Sequence, residues 1–237
     1  MKLQFKKQQY QVDAANSVVN LFIGQNNSER KTLIDRKIKG YGYLEEEVEV
    51  YSYGNNTINI GESQLKQNIK QVECDNNLDL TEDANFINKD FLKNFSIEME
   101  TGTGKTYTYI KTMYELNKAY GFSKFIVMVP SIAIREGTLK SFQVTEEHFK
   151  EQYGKKIRYF VYNTNNSSNI ANIKSFSEDN NINVIIMNYQ AFNTKSEESR
   201  KIYKELDELQ SRKPIDIIKM TNPILILDEP QKMGKAE

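Results

Sequence analysis

Residues 98–106 read Glu-Met-Glu-Thr-Gly-Thr-Gly-Lys-Thr, and residues 223–231 read Pro-Ile-Leu-Ile-Leu-Asp-Glu-Pro-Gln. The first stretch has the composition of a loop that cradles phosphate. Gly102 and Gly104 lack Cβ atoms, so the backbone can turn tightly and aim successive N–H groups at phosphate oxygens, with Thr101 and Thr103 completing the loop. Lys105 supplies a point charge for the β- and γ-phosphates, and Thr106 a hydroxyl for Mg²⁺. The second stretch ends an apolar run in two adjacent carboxylates. Asp228 would hold Mg²⁺ directly or through water, and Glu229 would polarise the water that attacks the γ-phosphate. Together they read as two halves of a site for Mg²⁺ and ATP.

These residues need a scaffold. Phe95, Ile97 and Met99 alternate with polar residues, a strand pattern, and Tyr107, Ile110, Met113, Tyr114 and Leu116 recur at helical spacing. The expected helix, roughly residues 105–119, would turn its positive end toward the phosphates. Residues 224–227 form a continuous apolar run that suits a strand buried on both faces of a parallel sheet, with the acids at its carboxyl end, where such sheets bind ligands. Further along, residues 125–129 and 184–187 read as buried strands and 157–162 as another. Helices are expected at 9–23, 61–74, 131–150 and 196–211, the last solvated. Residues 48–53 and 57–60 flank Gly54-Asn-Asn as a hairpin, and 163–181 read as a loop with at most one helical turn. Alternating strands and helices predict an α/β fold with a doubly wound, mostly parallel sheet flanked by helices. Residues 25–94 read as an α+β insertion in a domain whose core is 1–24 and 95–237.

Three further features point to ligands. Gln11 carries an amide able to pair with an adenine edge. Pro130, Ser131 and Arg135 follow a strand where a helix start and a positive charge can meet a nucleic-acid phosphate, and Asn188 follows the neighbouring strand. His148 lies in a charged helical stretch and reads as a surface residue.

The bulk properties are those of a globular chain. It has 237 residues, 38% hydrophobic and 27% charged, with 32 basic and 32 acidic side chains. No apolar run reaches transmembrane length, and the N-terminus lacks the apolar core of a signal peptide. Cys74 is the single cysteine, which excludes an internal disulfide framework. These features predict a cytoplasmic protein without a membrane partner. Net charge of zero argues against a basic surface across the whole chain but not against a local phosphate track.

Gln11, residues 101–106, residues 129–137 and Asp228-Glu-Pro-Gln231 occur in the order used by superfamily 2 helicase-like ATPases. Met99 replaces the first glycine of the general phosphate-loop pattern, as happens often in helicase-type motors. The Asp-Glu-Pro-Gln variant, with Met99-Glu-Thr-Gly-Thr-Gly-Lys-Thr-Tyr107, resembles the restriction (Res) subunit of type III restriction–modification systems. The resemblance implies a first RecA-like motor domain that couples ATP hydrolysis to DNA translocation or switching before double-strand cleavage. It implies Lys105, Asp228, Glu229 and Gln231 as the ATPase machinery, with Gln231 linking nucleotide state to DNA. It also implies double-stranded DNA and a methyltransferase (Mod) subunit as partners. A second motor domain with its arginine motif and a nuclease domain would lie beyond Glu237, so the segment alone is expected to be poorly active. Two alternatives stay open: another superfamily 2 helicase or translocase, and a nucleotide-dependent nucleic-acid-binding module without turnover.

Overall fold

The computed structural model describes residues 5–41, 44–82, 94–162, 169–192, 202–206, 209 and 212–233. The chain forms two compact units, Met1–Ser28 with Thr57–Gly121, and Glu29–Asn56 with Phe122–Glu237.

The first unit is helical. Helices α1 (Gln9–Asn20), α2 (Glu62–Asp75) and α3 (Lys105–Tyr120) form it, with α1 packed on α3. The buried line of α1 runs through Gln11 and Ala15 to Leu21 and Phe22. Helix α3 buries Ile110, Met113, Tyr114 and Leu116, as their spacing predicts, and Tyr120 with them, while Tyr107 is half-buried. Tyr120 and Phe95 both meet the ring of Phe22 edge-on, at 6.2 and 6.1 Å. Lys111, almost fully buried on α3, is paired with Glu115 at 3.0 Å. The strand expected before the phosphate loop is not formed. Residues 94–100 make no ladder among the described residues, and Phe95 and Ile97 are 37% and 47% exposed. Alternation permits a strand, but only a neighbour's backbone groups make one.

The second unit contains the sheet. Strands β3 (Lys124–Val129), β4 (Arg158–Val161), β5 (Asn183–Asn188) and β6 (Ile224–Leu227) are all parallel, in the order β4-β5-β3-β6. Helices α4 (Ile132–Tyr153), α5 (Asn169–Glu178) and α6 (Pro214–Met220) provide the crossovers that parallel strands require. Central β3 and β5 are buried on both faces, and Ile126, Ile185, Met187, Ile173, Phe176 and Ile218 share one core cluster. This is the mixed α/β, parallel-sheet architecture expected of a RecA-like domain.

Four local readings change. Strand β6 was expected to be buried on both faces, yet it pairs only with β3 among the described residues and leaves Leu225 and Leu227 55% and 49% exposed. An apolar run records hydrophobicity, not position in the sheet. The hairpin joins β1 (Arg30–Tyr41) to β2 (Leu44–Gly54), and residues 57–60 form no strand. Gly54 ends β2 because a Cβ there would stand 2.6 Å from the Thr221 carbonyl oxygen. Of the loop expected at 163–181, residues 163–168 lie outside the described residues and 169–178 form helix α5, whose Ile173 and Phe176 share one buried face with Ile170 partly buried beside them. Of the helix expected at 196–211, residues 196–201, 207–208 and 210–211 lie outside the described residues. The described part is solvated only at Lys204 and Glu205; Ile202 and Leu209 are buried in the core.

Asn55 secures the base of the hairpin. Its Oδ1 accepts from the amides of Ser123 and Lys124 at 2.8 and 2.9 Å, and its Nδ2 donates to the Lys124 carbonyl at 2.8 Å. Its own N–H donates to the Thr221 carbonyl at 2.8 Å.

Candidate functional site

In the first unit the phosphate-type loop leads directly into α3. Gly102 and Gly104 have φ values of 83° and 90°, a region in which an L side chain is strained. Within the loop, the Thr103 amide and hydroxyl both donate to the Glu100 carbonyl, at 3.3 and 2.6 Å. The carbonyl of Thr103 is held from α1: the Tyr10 hydroxyl and the Gln11 Nε2 each donate to it at 2.9 Å. Sequence reasoning assigned Gln11 to adenine, whereas here its amide braces the loop. The bracing role of Tyr10 had no sequence signal, since an exposed tyrosine at a helix start is compatible with many environments.

Helix α3 begins at Lys105 with no acidic residue in its first turn. Its opening amides have no partner within the helix, so its positive end remains available to an anion. Lys105 is half-buried and its Nζ reaches the Met99 carbonyl at 3.5 Å, a long contact easily exchanged for a phosphate oxygen. Thr101 and Gly102 are exposed, and Thr106 is half-buried at the helix start.

In the second unit the carboxyl edge of the sheet gathers the remaining candidates. Val129 pairs with Asn188, and Met128 with Leu227. Pro130, Ser131, Asn188 and Asp228 therefore emerge at the same edge. Asp228 is 9% exposed and its N–H donates to the Met128 carbonyl at 2.9 Å. Glu229 adopts the left-handed conformation, φ 55° and ψ 56°, unusual for a residue with a side chain. Its Oε2 pairs with the ammonium of Lys232 at 2.5 Å. Gln231 is exposed on the short 3₁₀ turn Pro230–Lys232. The Glu229–Lys232 pair was missed, although three-residue spacing of opposite charges was readable.

Ser131 caps α4, accepting from the Ile134 amide at 3.3 Å. Arg135 is engaged by its neighbour, with Nη2 and Nε at 3.1 and 3.3 Å from Glu136 Oε1. Asn188 Oδ1 is buried and accepts no hydrogen bond among the described residues.

The amino edge carries a different charge arrangement. Lys124 is fully buried there, and burial lowers its amine from 10.5 to about 8 despite the opposing field of Asp179. Its Nζ donates to the Asp179 carbonyl and stands 5.4 Å from the centre of the Phe176 ring. Burial alone would raise the Asp179 carboxyl. Hydrogen bonds from Asn181 and Asn183 and the charge of Arg158, 2.8 Å away, hold it below the usual range.

Among the described residues, no three His, Cys, Asp or Glu side chains converge as a metal cage. Each unit offers a hard oxygen of the kind Mg²⁺ prefers, the Thr106 hydroxyl in the first and the Asp228 carboxylate in the second.

The family described as "Type III restriction enzyme, res subunit" matches residues 4–235. The Res subunit of the type III restriction-modification enzyme EcoP15I from Escherichia coli is 34% identical over 206 residues, covering 80% of this chain and 21% of that protein. The EcoPI Res subunit of Escherichia phage P1 is 30% identical over 210 residues, 82% of this chain and 21% of that protein. The StyLTI Res subunit of Salmonella typhimurium is 32% identical over 160 residues, 60% of this chain and 16% of the relative. The chain thus spans about a fifth of the length of the curated relatives it matches most fully.

Proposed function

The chain belongs to the type III restriction enzyme Res-subunit family, and on that footing we propose that it is the ATP-binding motor segment of such an enzyme. It binds Mg-ATP and couples hydrolysis to movement or switching on double-stranded DNA before cleavage. The observation that carries the reading is the braced loop: two left-handed glycines, a fixed Thr103 carbonyl and Lys105 opening a 16-residue helix. Such a loop presents backbone amides and one cation to a triphosphate.

In this reading Lys105 binds the β- and γ-phosphates, and Thr106 and Asp228 hold Mg²⁺. The metal, when bound, neutralises phosphate charge and orients the γ-phosphoryl group. Glu229 accepts a proton from the attacking water as its oxygen bonds to the γ-phosphorus. The bond from that phosphorus to the bridging oxygen breaks, and ADP leaves with the electron pair. Gln231 links this state to DNA, with Pro130, Ser131, Arg135 and Asn188 as the proposed strand contacts. Gln11 contacts adenine once its amide exchanges partners. The partners are duplex DNA and a Mod subunit, and the location is the cytoplasm. No helix among the described residues is long and apolar enough to cross a membrane. The division into a core, 1–24 and 95–237, and an insertion, 25–94, belongs to the same proposal.

The test is phosphate release by the complete polypeptide carrying these residues, with its partner subunit, with and without duplex DNA. DNA-stimulated release that disappears in Lys105→Ala supports the motor. Nucleotide binding without turnover in the unaltered protein would replace it with a binding module.

A further inference from the structure

We infer that Lys232 is a positioning residue that restrains Glu229, and that a polyanion backbone releases the restraint by competing for the ammonium. The inference rests on the role proposed for Glu229. The Lys232 Nζ lies 2.5 Å from Glu229 Oε2, an ion pair in which that buried oxygen accepts no hydrogen bond among the described residues. Both residues belong to one tight turn: the Lys232 amide donates to the Glu229 carbonyl at 3.0 Å, and Pro230 opens the 3₁₀ segment. The turn is built on a left-handed glutamate at φ 55°, so backbone strain is maintained where the carboxylate is turned toward the lysine.

The chemistry follows from the pairing. A carboxylate oxygen held against an ammonium is turned toward that cation and is not free to turn toward the attacking water. The two ends of the pair differ in access, with the Lys232 side chain 58% exposed and that of Glu229 only 21%. A bulky anion can therefore reach the lysine more readily than another cation can reach the glutamate. The ammonium end of the pair is open to solvent, so a run of phosphates can compete for it. The resting enzyme would keep its base engaged, and nucleic acid would free it.

The experiment compares steady-state ATP turnover of the complete polypeptide with its partner subunit as wild type, Lys232→Gln and Lys232→Arg, each with and without duplex DNA. Glu229→Gln sets the floor. Lys232→Gln should raise DNA-free kcat roughly two- to fivefold, the size expected for loss of an exposed pair, with KM for ATP unchanged. The ratio of DNA-stimulated to basal turnover should fall by the same factor. Lys232→Arg keeps the charge and should restore wild-type values, which a merely structural role for the side chain would not require. An active wild type whose Lys232→Gln variant shows unchanged or lower basal kcat overturns this inference alone. So does a Lys232→Arg variant that behaves like Lys232→Gln. A wild type that hydrolyses no ATP with DNA overturns the motor reading and this inference with it.

Discussion

Replacing Gly104 by alanine separates the shape of the loop from its composition. At φ 90° and ψ 38° an L side chain costs about 1–2 kcal/mol. The new Cβ would also stand 2.5 Å from Gln11 Nε2, so that amide must move and release the Thr103 carbonyl. Losing that hydrogen bond costs about 0.5–1.5 kcal/mol. Together the two effects should destabilise the first unit by about 1.5–3.5 kcal/mol. Gly102 provides the internal control: its φ is 83°, yet nothing lies within 4 Å of a Cβ built there. Gly102→Ala should therefore show the strain alone, about 1–2 kcal/mol. In the double variant Gln11→Ala/Gly104→Ala the steric conflict is absent, so its loss should fall short of the sum of the singles by about 0.5–1.5 kcal/mol. Urea denaturation of the five proteins, including wild type, gives all of these values. Strict additivity, or equal losses at Gly102 and Gly104, would refute the argument that Gln11 braces the loop.

Three further outcomes are expected. Lys105→Ala should abolish ATP turnover while leaving the urea midpoint within the scatter of wild type, because its long contact to the Met99 carbonyl contributes little to the fold; preserved turnover would overturn the phosphate role. Glu229→Gln should keep nucleotide affinity, measured by equilibrium titration, and lose hydrolysis by two to four orders of magnitude, roughly the contribution of a general base; equal loss of both would assign Glu229 to metal or fold. Lys124 should make the second unit more stable as pH rises from about 8 toward 10.5, because burial lowers its folded value to about 8. In that window the unfolded chain holds the proton that the folded chain has released, and below it both hold it. The full effect is on the order of 3 kcal/mol. Lys124→Met should flatten the rise between midpoints measured at pH 7.5 and 9.5, and an identical rise in that variant would place its origin elsewhere.

The elements that the sequence discloses are those whose pattern and partners are both local. Helix α3 is legible because its apolar spacing, its glycine entry and the lysine–threonine start agree. Strands β3 and β5 are legible because continuous apolar runs of five and four residues, 125–129 and 184–187, leave few alternatives. The segment 94–100 and strand β6 carry equally good patterns, but whether a strand is formed or centrally placed depends on neighbours that its own residues do not specify. The hairpin shows the same limit. Gly54-Asn-Asn looks like a turn, yet glycine is needed there for close approach to Thr221 and asparagine for its four-way bonding to β3 and α6. In the site, residue types announced the phosphate loop and the acidic pair. The Tyr10 and Gln11 contacts to Thr103 and the Glu229–Lys232 pair are visible only once backbone geometry is known.

The Asn55 junction also sets a timetable for synthesis. Asn55 is bonded to Lys124, 69 residues later in the chain, and to Asn222, 167 residues later. The hairpin leaves the ribosome among the first parts of the second unit, and the backbone that holds its base follows in two steps, at 123–124 and at 221–222. At typical elongation rates the second step comes about 8–35 s later. Until the first, the two strands have only each other, and an isolated hairpin is marginal in water. Closure of the second unit is therefore a late, collective event in the life of the nascent chain, gated by the arrival of α6 and β6. Slowing translation between codons 57 and 220 should prolong protease sensitivity near residues 29–56 without changing the finished protein.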